Sequence, residues 1–292
     1  MKELSSKFYG NNGIHRVPLW RVAGFALNNT ATNLYLCLMN MVAYYLTGFV
    51  GVAVVTASSF AMFMRIWDGV TDPFIGYVVD KTNGKFGKNR PFMVAGNVIL
   101  LLTSFVLFHV THRLPESTVI RFGFFIVVAA VYYVGYTFQC VVTKSAQPCL
   151  TNDPKQRPLF SIFDAAYNVM MFVGFQMYSA SLVKKYGTFY DAGLFHEMWL
   201  TVALISAIFT IVAIISIAPK DRTEFFGTGK AVRVGLKDYW DTLKSNRAIQ
   251  MLVVAASTDK LAATAKTSAV TTVMFAVVAG NYALSGLSLI HI

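Results

Sequence analysis

Charge is scarce in this chain. Asp, Glu, Lys and Arg together account for 13% of its 292 residues, against 55% hydrophobic residues, and the mean hydropathy is +0.54. Soluble domains carry about twice that share of charge, so water is not the main solvent of this protein. Acidic residues are the scarcer sign, 14 against 25 basic ones. The resulting net charge of +11 would suit a nucleic-acid binder if it lay along one soluble face. The basic residues instead sit in loops between apolar runs, which removes nucleic acid from the expected partners. Cysteine is nearly absent: Cys37, Cys140 and Cys149 are odd in number and lie in apolar stretches, with neither metal-ligand spacing nor a framework of pairs. They read as small buried hydrophobes. The first twenty residues hold Lys2, Lys7, Arg16 and Pro18 but no apolar run, so no cleavable signal peptide is visible and the first helix is expected to serve as the insertion signal. Enzyme motifs are missing too. His196 and Glu197 open like a zinc-protease helix, but the place of the second histidine is held by Leu200. No Gly-x-Ser-x-Gly elbow or phosphate loop is present, and the five histidines lie near loops or ends rather than in an intramembrane cluster. Neither an enzyme nor a cofactor is expected.

What the sequence has in abundance is long apolar runs. A bilayer span needs about 20 predominantly apolar residues, and seven stretches qualify, at 19–46, 51–79, 91–110, 120–148, 158–182, 197–218 and 248–280. An all-α polytopic membrane protein is the expected fold class. Lys and Arg divide unevenly between the two sets of loops: sixteen precede the first run or fall in the 2–3, 4–5 and 6–7 connections, and four fall on the other side. That asymmetry places the N-terminus in the cytoplasm.

The second run is interrupted by Arg65-Ile66-Trp67-Asp68-Gly69-Val70-Thr71-Asp72-Pro73. A charge at the bilayer centre costs about 2.5 to 3.5 kcal/mol on insertion scales, so three are tolerated only when they face a bundle interior. Helical spacing puts Arg65, Asp68 and Asp72 on one face. One reading is structural, with Arg65 neutralising the acids and locking helices together. The other is functional: one Arg cannot neutralise two carboxylates, and Thr71 adds a hydroxyl oxygen beside them. The set then suits Na+ or, with one acid protonated, H+. Pro73 also frees a backbone carbonyl one turn earlier.

Helix 2 runs on into Gly76-Tyr77-Val78-Val79-Asp80 and the loop Lys81-Thr82-Asn83-Gly84-Lys85-Phe86-Gly87-Lys88-Asn89-Arg90-Pro91. This resembles the major facilitator motif. Gly76 would permit close helix approach, Asp80 would pair with loop cations or cap a neighbouring helix, and Gly84, Lys88 and Arg90 would complete the loop. An ordinary positive-inside loop is the bland alternative.

Together the helix 2 charges, this loop, Tyr136-Thr137 and Thr151-Asn152-Asp153-Pro154-Lys155-Gln156-Arg157 resemble the glycoside, pentoside and hexuronide cation symporter family, typified by melibiose permease. The resemblance covers most of the chain and is most specific in helix 2. It implies that Asp68, Asp72 and Thr137 bind a coupling cation, Na+ or H+, with Thr71 where melibiose permease has Asn. At the sugar-facing positions the chain departs from that relative, with Thr32, Cys140, Lys144 and the neighbourhood of Ala165 in place of its polar residues, so melibiose itself is not expected. Lys144 and Asp164, charges on consecutive spans, are expected to flank the solute site together with Asn29, Thr32, Asn33, Cys140 and Arg65; a buried structural pair, or snorkelling of Lys144, is the alternative. Asn28 and Gln139 offer further neutral hydrogen bonds.

The family has twelve helices in two bundles. The expected organisation is therefore a six-helix bundle over 1–218, a cytoplasmic linker with an amphipathic helix over 219–247, and helix 7 with a truncated start of the second bundle over 248–292, the last six residues being of doubtful nativeness. The expectation is a bacterial inner-membrane sugar or glycoside symporter working by alternating access, monomeric at full length. An uncoupled facilitator of a sugar or lipid-like solute and a non-transporting fragment are the alternatives.

Overall fold

The computed structural model of the chain describes residues 15–82, 84, 86–222, 241 and 244–266, without the side chains of Ser58, Ala61, Arg65, Asp80 and residues 260–266. The chain divides into two compact units, Met1–Gly227 and Thr228–Ile292.

The first unit holds six long helices: α1 (Leu19–Asn40), α2 (Val54–Lys81), α3 (Arg90–Phe105), α4 (Thr118–Ser145), α5 (Arg157–Tyr186) and α6 (Ala192–Ile217). Two of them continue in a π-helical turn, α1 through Val42–Tyr45 into Leu46–Val50 and α3 into Val106–Val110. Among the described residues, five stretches are long and apolar enough to cross a membrane: Leu19–Val50, Arg90–Arg113, Thr118–Leu150, Arg157–Tyr186 and Ala192–Ile217. Helix α2 has 28 residues, about 42 Å at 1.5 Å per residue, which is ample for a span. It falls short of those five in apolarity because of the charges that interrupt it.

Helix starts and stops follow local chemistry. Pro91 and Pro158 stand in the first turns of α3 and α5, where the missing N–H costs nothing. Asp191 caps α6 by accepting from the Gly193 N–H at 2.7 Å. Helix α5 ends at Gly187, in the left-handed region at φ 73°.

Helix α1 is the pillar of the bundle, packed against α6 and α5 and, to a lesser extent, α4 and α3. Tyr35, Leu38, Tyr45, Leu46, Phe125 and Phe195 are fully buried in the larger core cluster. Close approach of α3 and α4 depends on small residues: a Cβ on Gly135 would stand 2.7 Å from Ile99, and one on Gly96 would stand 3.0 Å from the Gly135 carbonyl. Polar side chains supply cross-helix ties, as expected where lipid gives apolar surfaces no reason to associate. The Asn97 amide donates to Ser206 at 2.9 Å and Thr210 at 3.0 Å, Ser206 donates to the Ala31 carbonyl at 3.1 Å, and Tyr132 donates to the Tyr35 carbonyl at 2.8 Å.

In the second unit the described helix is α7 (Arg247–Lys266), capped by Asn246, whose Oδ1 accepts from the Ala248 N–H at 3.0 Å. The expected amphipathic linker helix falls largely on residues 223–240 and 242–243, the far part of helix 7 on residues 267–280, and the final six residues likewise; all lie outside the described residues.

Candidate functional site

One flank of α2 is buried along Ala57, Phe60, Met64, Ile75 and Val79. Asp68 and Thr71 fall in the middle of that stripe and are half-buried, because steps of three and four residues return to the same face. Asp72 lies one position further round and is exposed. The expectation that both acids point into the bundle is thereby corrected: four residues advance a helix by about 400°, leaving the second carboxylate about 40° off the seam. The Arg65 side chain lies outside the described residues.

Helix α4 packs on this flank. The buried Thr137 donates its hydroxyl proton to Asp68 Oδ1 at 3.0 Å, and Thr71 donates to the Asp68 backbone carbonyl at 3.0 Å. Trp67 fixes the same contact by donating to the Ala130 carbonyl at 3.1 Å. With both hydroxyl protons engaged, the lone pairs of Thr71 and Thr137 remain as oxygen donors beside the carboxylates. Pro73, inside α2, leaves the Gly69 carbonyl without its helical N–H partner.

Asp72 opens into a cavity of about 570 Å³ lined by Cys140, Val141, Lys144 and Ser145 of α4. Cys140 and Lys144 are one helical turn apart and share a face. The structure therefore brings together one acid nominated for the cation and two residues nominated for the solute.

The other solute candidates form a separate seam between α1 and α5. The Asn29 amide donates to Asp164 Oδ1 at 2.7 Å, and Asn33 donates to Asn168 Oδ1 at 2.9 Å. Among the described residues no ion pair joins Lys144 to Asp164; Lys144 is exposed and Asp164 half-buried on its Asn29 partner. Thr32 is fully buried and spends its hydroxyl on the Asn28 carbonyl at 2.9 Å, so it is a helix-internal residue rather than a solute contact. Asn28 donates to Thr143 at 2.9 Å, and Gln139 to the Met93 carbonyl at 2.7 Å, tying α1 and α3 to α4. A second cavity, about 400 Å³ and lined mainly by apolar residues of α1, α5 and α6 such as Leu34, Met170, Phe175 and Phe209, has no charged lining and is no match for a sugar and a cation.

The α2–α3 loop carries a feature that sequence reading missed. Asp221, fully buried just beyond α6, accepts from the backbone N–H groups of Lys88, Asn89 and Arg90 at 3.0 to 3.2 Å, from the Asn89 side-chain amide at 3.0 Å and from Arg90 Nε at 3.3 Å. A carboxylate thus sits on the N-terminus of α3, where unsatisfied N–H groups and the helix dipole favour negative charge. Gly87 makes room for it: its φ is +91°, and a Cβ there would stand 2.2 Å from Asp221 Oδ2. Gly84 bridges to Gly87 in the tight turn. Gly76, by contrast, has nothing within 4 Å of a built Cβ among the described residues. The side chain of Asp80 and the residues Asn83 and Lys85 lie outside the described residues.

A second clamp at the α4–α5 loop holds the segment before α1. Asn152 accepts from the His15 N–H at 2.7 Å, Thr151 donates to the His15 carbonyl at 3.0 Å, and Gln156 exchanges two hydrogen bonds with the Val17 backbone. Arg16 pairs with Asp153. The buried His15 imidazole is held below its ordinary pKa by desolvation and then by the charge of Lys220.

Comparison with known proteins agrees with this architecture. A family model described as "MFS/sugar transport protein" matches residues 24–287. Among curated relatives, the chain is 33% identical over 94 residues to "Glucuronide carrier protein homolog" of Escherichia coli, covering 31% of this chain and 20% of that one. It is 27% identical over 99 residues to "Uncharacterized symporter YnaJ" of Bacillus subtilis, covering 34% and 21%, and 24% identical over 230 residues to "Isoprimeverose transporter" of Lactiplantibacillus pentosus, covering 76% and 46%. The chain spans less than half the length of each of these relatives. With helices fit to span a bilayer and a family of transporters rather than enzymes, it is an integral, multi-pass membrane protein. Matched over nearly its whole length, the chain belongs to the MFS/sugar transport protein family, within which it groups with the glycoside, pentoside and hexuronide symporters.

Proposed function

We propose that the chain belongs to a symporter that couples entry of a sugar or glycoside to Na+ or H+ by alternating access. The contact that carries this reading is Thr137 on Asp68 at 3.0 Å, beside a cavity that Asp72 shares with Lys144 and Cys140. The Asp68 carboxylate with the Thr71 and Thr137 hydroxyl oxygens offers hard-oxygen donors of the kind that Na+ takes, Asp72 stands one turn further along α2 at the cavity, and one of the acids offers a place for H+ instead. The solute would sit on the α4 side of the cavity and reach toward the Asn29–Asp164 and Asn33–Asn168 pairs on α1 and α5. Relatives named as a glucuronide carrier homologue and an isoprimeverose transporter support a glycoside-sized solute. Coupling then means that filling the acid site raises solute affinity, and the reverse by the same factor. The bacterial inner membrane, a cytoplasmic N-terminus, a linker at 219–247 between two bundles and a monomeric full-length form complete the proposal.

A thermal-shift screen of the purified protein against mono- and disaccharides, with and without Na+ and at two pH values, tests it. One sugar should stabilise the protein more when the cation is present, and Asp72→Asn should remove that difference. Stabilisation by a sugar with no cation dependence would replace symport by uncoupled facilitation.

A further inference from the structure

At the opposite end of α3 from the Asp221 clamp, two histidines 87 residues apart in sequence meet. His109 lies in the π-helical turn Val106–Val110, and His196 lies near the start of α6. His109 Nε2 and His196 Nδ1 are 2.8 Å apart, with ring planes at 82°. The tautomers follow from a neighbour. His109 Nδ1 stands 3.1 Å from the Phe105 carbonyl, which only accepts, so Nδ1 carries the proton. Nε2 therefore holds a lone pair, and His196 donates to it.

The His109 ring is fixed on two further sides. Phe105 stacks on it at 4.6 Å, and Trp199 meets it edge-on at 5.0 Å. Trp199 is itself anchored through its indole N–H to Ser104 at 3.0 Å. His109 is buried, whereas His196 is exposed, so the meeting point is reached from one side. An imidazole that gives one N–H to a backbone carbonyl and keeps the other nitrogen unprotonated has the arrangement of a metal-ligating histidine, the carbonyl being the outer partner that sets tautomer and orientation.

We infer that His109 and His196 form a binding site for a borderline divalent transition-metal ion such as Zn2+, Cu2+ or Ni2+. Metal–nitrogen bonds of about 2.0 to 2.1 Å at a tetrahedral angle separate the two nitrogens by roughly 3.3 Å. A metal on the His109 Nε2 lone pair takes the place of the His196 Nδ1 proton, so the exposed His196 ring swings aside to turn its own lone pair onto the metal, and its Nδ1 proton leaves to solvent. Among the described residues no group of three or more His, Cys, Asp or Glu is placed to hold a metal ion, so the protein supplies two ligands here. The neighbouring Glu197 is engaged by Lys185 at 2.6 Å and Tyr186 at 2.9 Å. Water completes the coordination, and the site is an open, two-point one. Imidazole donors select these metals over Na+ or Mg2+, which keeps the site chemically separate from the Asp68 and Asp72 carboxylates of α2. Its occupation ties the end of α3 to the beginning of α6.

The test uses the whole chain purified without a polyhistidine tag, titrated with Cu2+ and read by electron paramagnetic resonance, with Zn2+ thermal unfolding in parallel. The wild type should show coordination by two nitrogens at one equivalent and should melt higher with Zn2+. Either His109→Gln or His196→Gln should remove the two-nitrogen signature and weaken Cu2+ binding about tenfold or more, while His15→Gln and His112→Gln should keep both. Because His196 is exposed, His196→Gln is expected to melt like the wild type without metal, and it decides the matter alone if His109→Gln does not fold. A wild type lacking two-nitrogen coordination, or a signature unchanged in His196→Gln, overturns the site.

Discussion

Thr137 on α4 and Asp68 on α2 are joined by a hydroxyl-to-carboxylate hydrogen bond of 3.0 Å, in a position where Thr137 is fully buried. The bond links the two helices that wall the charged cavity, so its removal is a local test of the cation reading. Thr137→Val keeps the shape of the side chain and removes the oxygen. A hydrogen bond to a charged group contributes about 1.5 kcal/mol or more, so cation affinity should fall roughly tenfold, while Thr137→Ser should keep most of it. Cation-dependent thermal stabilisation measures both variants; equal affinity in wild type and Thr137→Val would exclude Thr137 from the cation site.

The cavity also makes a prediction about thiol access. Cys140 lines it, whereas Cys37 and Cys149 are buried. A small maleimide should alkylate Cys140 first, with mass spectrometry locating the adduct. A sugar that binds there should slow the reaction. Faster labelling of Cys37 or Cys149 would contradict the burial of both thiols.

Asp221 makes a prediction about stability. Asp221→Ala leaves buried N–H groups at the start of α3 without an acceptor and removes the partner of Arg90. Breaking a buried pair of this kind costs about 3 kcal/mol, so the melting temperature should drop well below that of a surface control. Gly87→Ala should destabilise the same corner by a different route, since its φ of +91° strains any side chain and the new Cβ would meet the Asp221 carboxylate. Melting temperatures unchanged in both variants would remove the clamp from the stability of the bundle.

Acid should loosen the clamp before α1 in two steps. The folded state holds His15 below the ordinary value of 6.5, chiefly by burial and then by Lys220, with the Cys149 carbonyl acting the other way. The unfolded chain therefore takes up a proton that the folded chain refuses. This contribution to stability is full above 6.5 and is lost as pH falls from there toward the lowered value. Asp153 is held below the ordinary 3.8, first by the Lys155 backbone N–H and also by Arg16. Its contribution is present above 3.8 and is lost as pH falls through its own lowered value. Melting temperature against pH should thus decline first as pH falls below 6.5 and again in stronger acid. His15→Asn should flatten only the first decline, and persistence of that decline in His15→Asn would assign it elsewhere.

Several elements were legible before any coordinates because their causes are local. Six of the seven apolar runs coincide with α1 to α6, since a stretch that must satisfy its own backbone in lipid has to be helical. Asp68, Thr71 and Asp72 were legible as a group because three intramembrane charges and a proline in nine residues are costly enough to need a reason. His196 opens an incomplete local metal motif, with Leu200 in the place of the second histidine; its partner His109 stands on another helix, and no spacing rule reaches it. Asp221 is one acid in the largely basic 219–247 stretch, with no local pattern around it. Only the turn after α6, folded back onto the start of α3, turned it into a cap.

The sequence by itself determined that this chain is a bundle of membrane helices with a charged seam in the second, because hydrophobicity and helical periodicity act over a few turns. Tertiary structure decided which partners those charges meet: Asp68 on Thr137, Asp72 at a cavity mouth with Lys144, Asp164 on Asn29, Asp221 on α3. Such meetings depend on how helices rotate and tilt against one another, and that is set by the summed packing of residues such as Gly96, Gly135 and Tyr35, far along the chain from the groups they bring together.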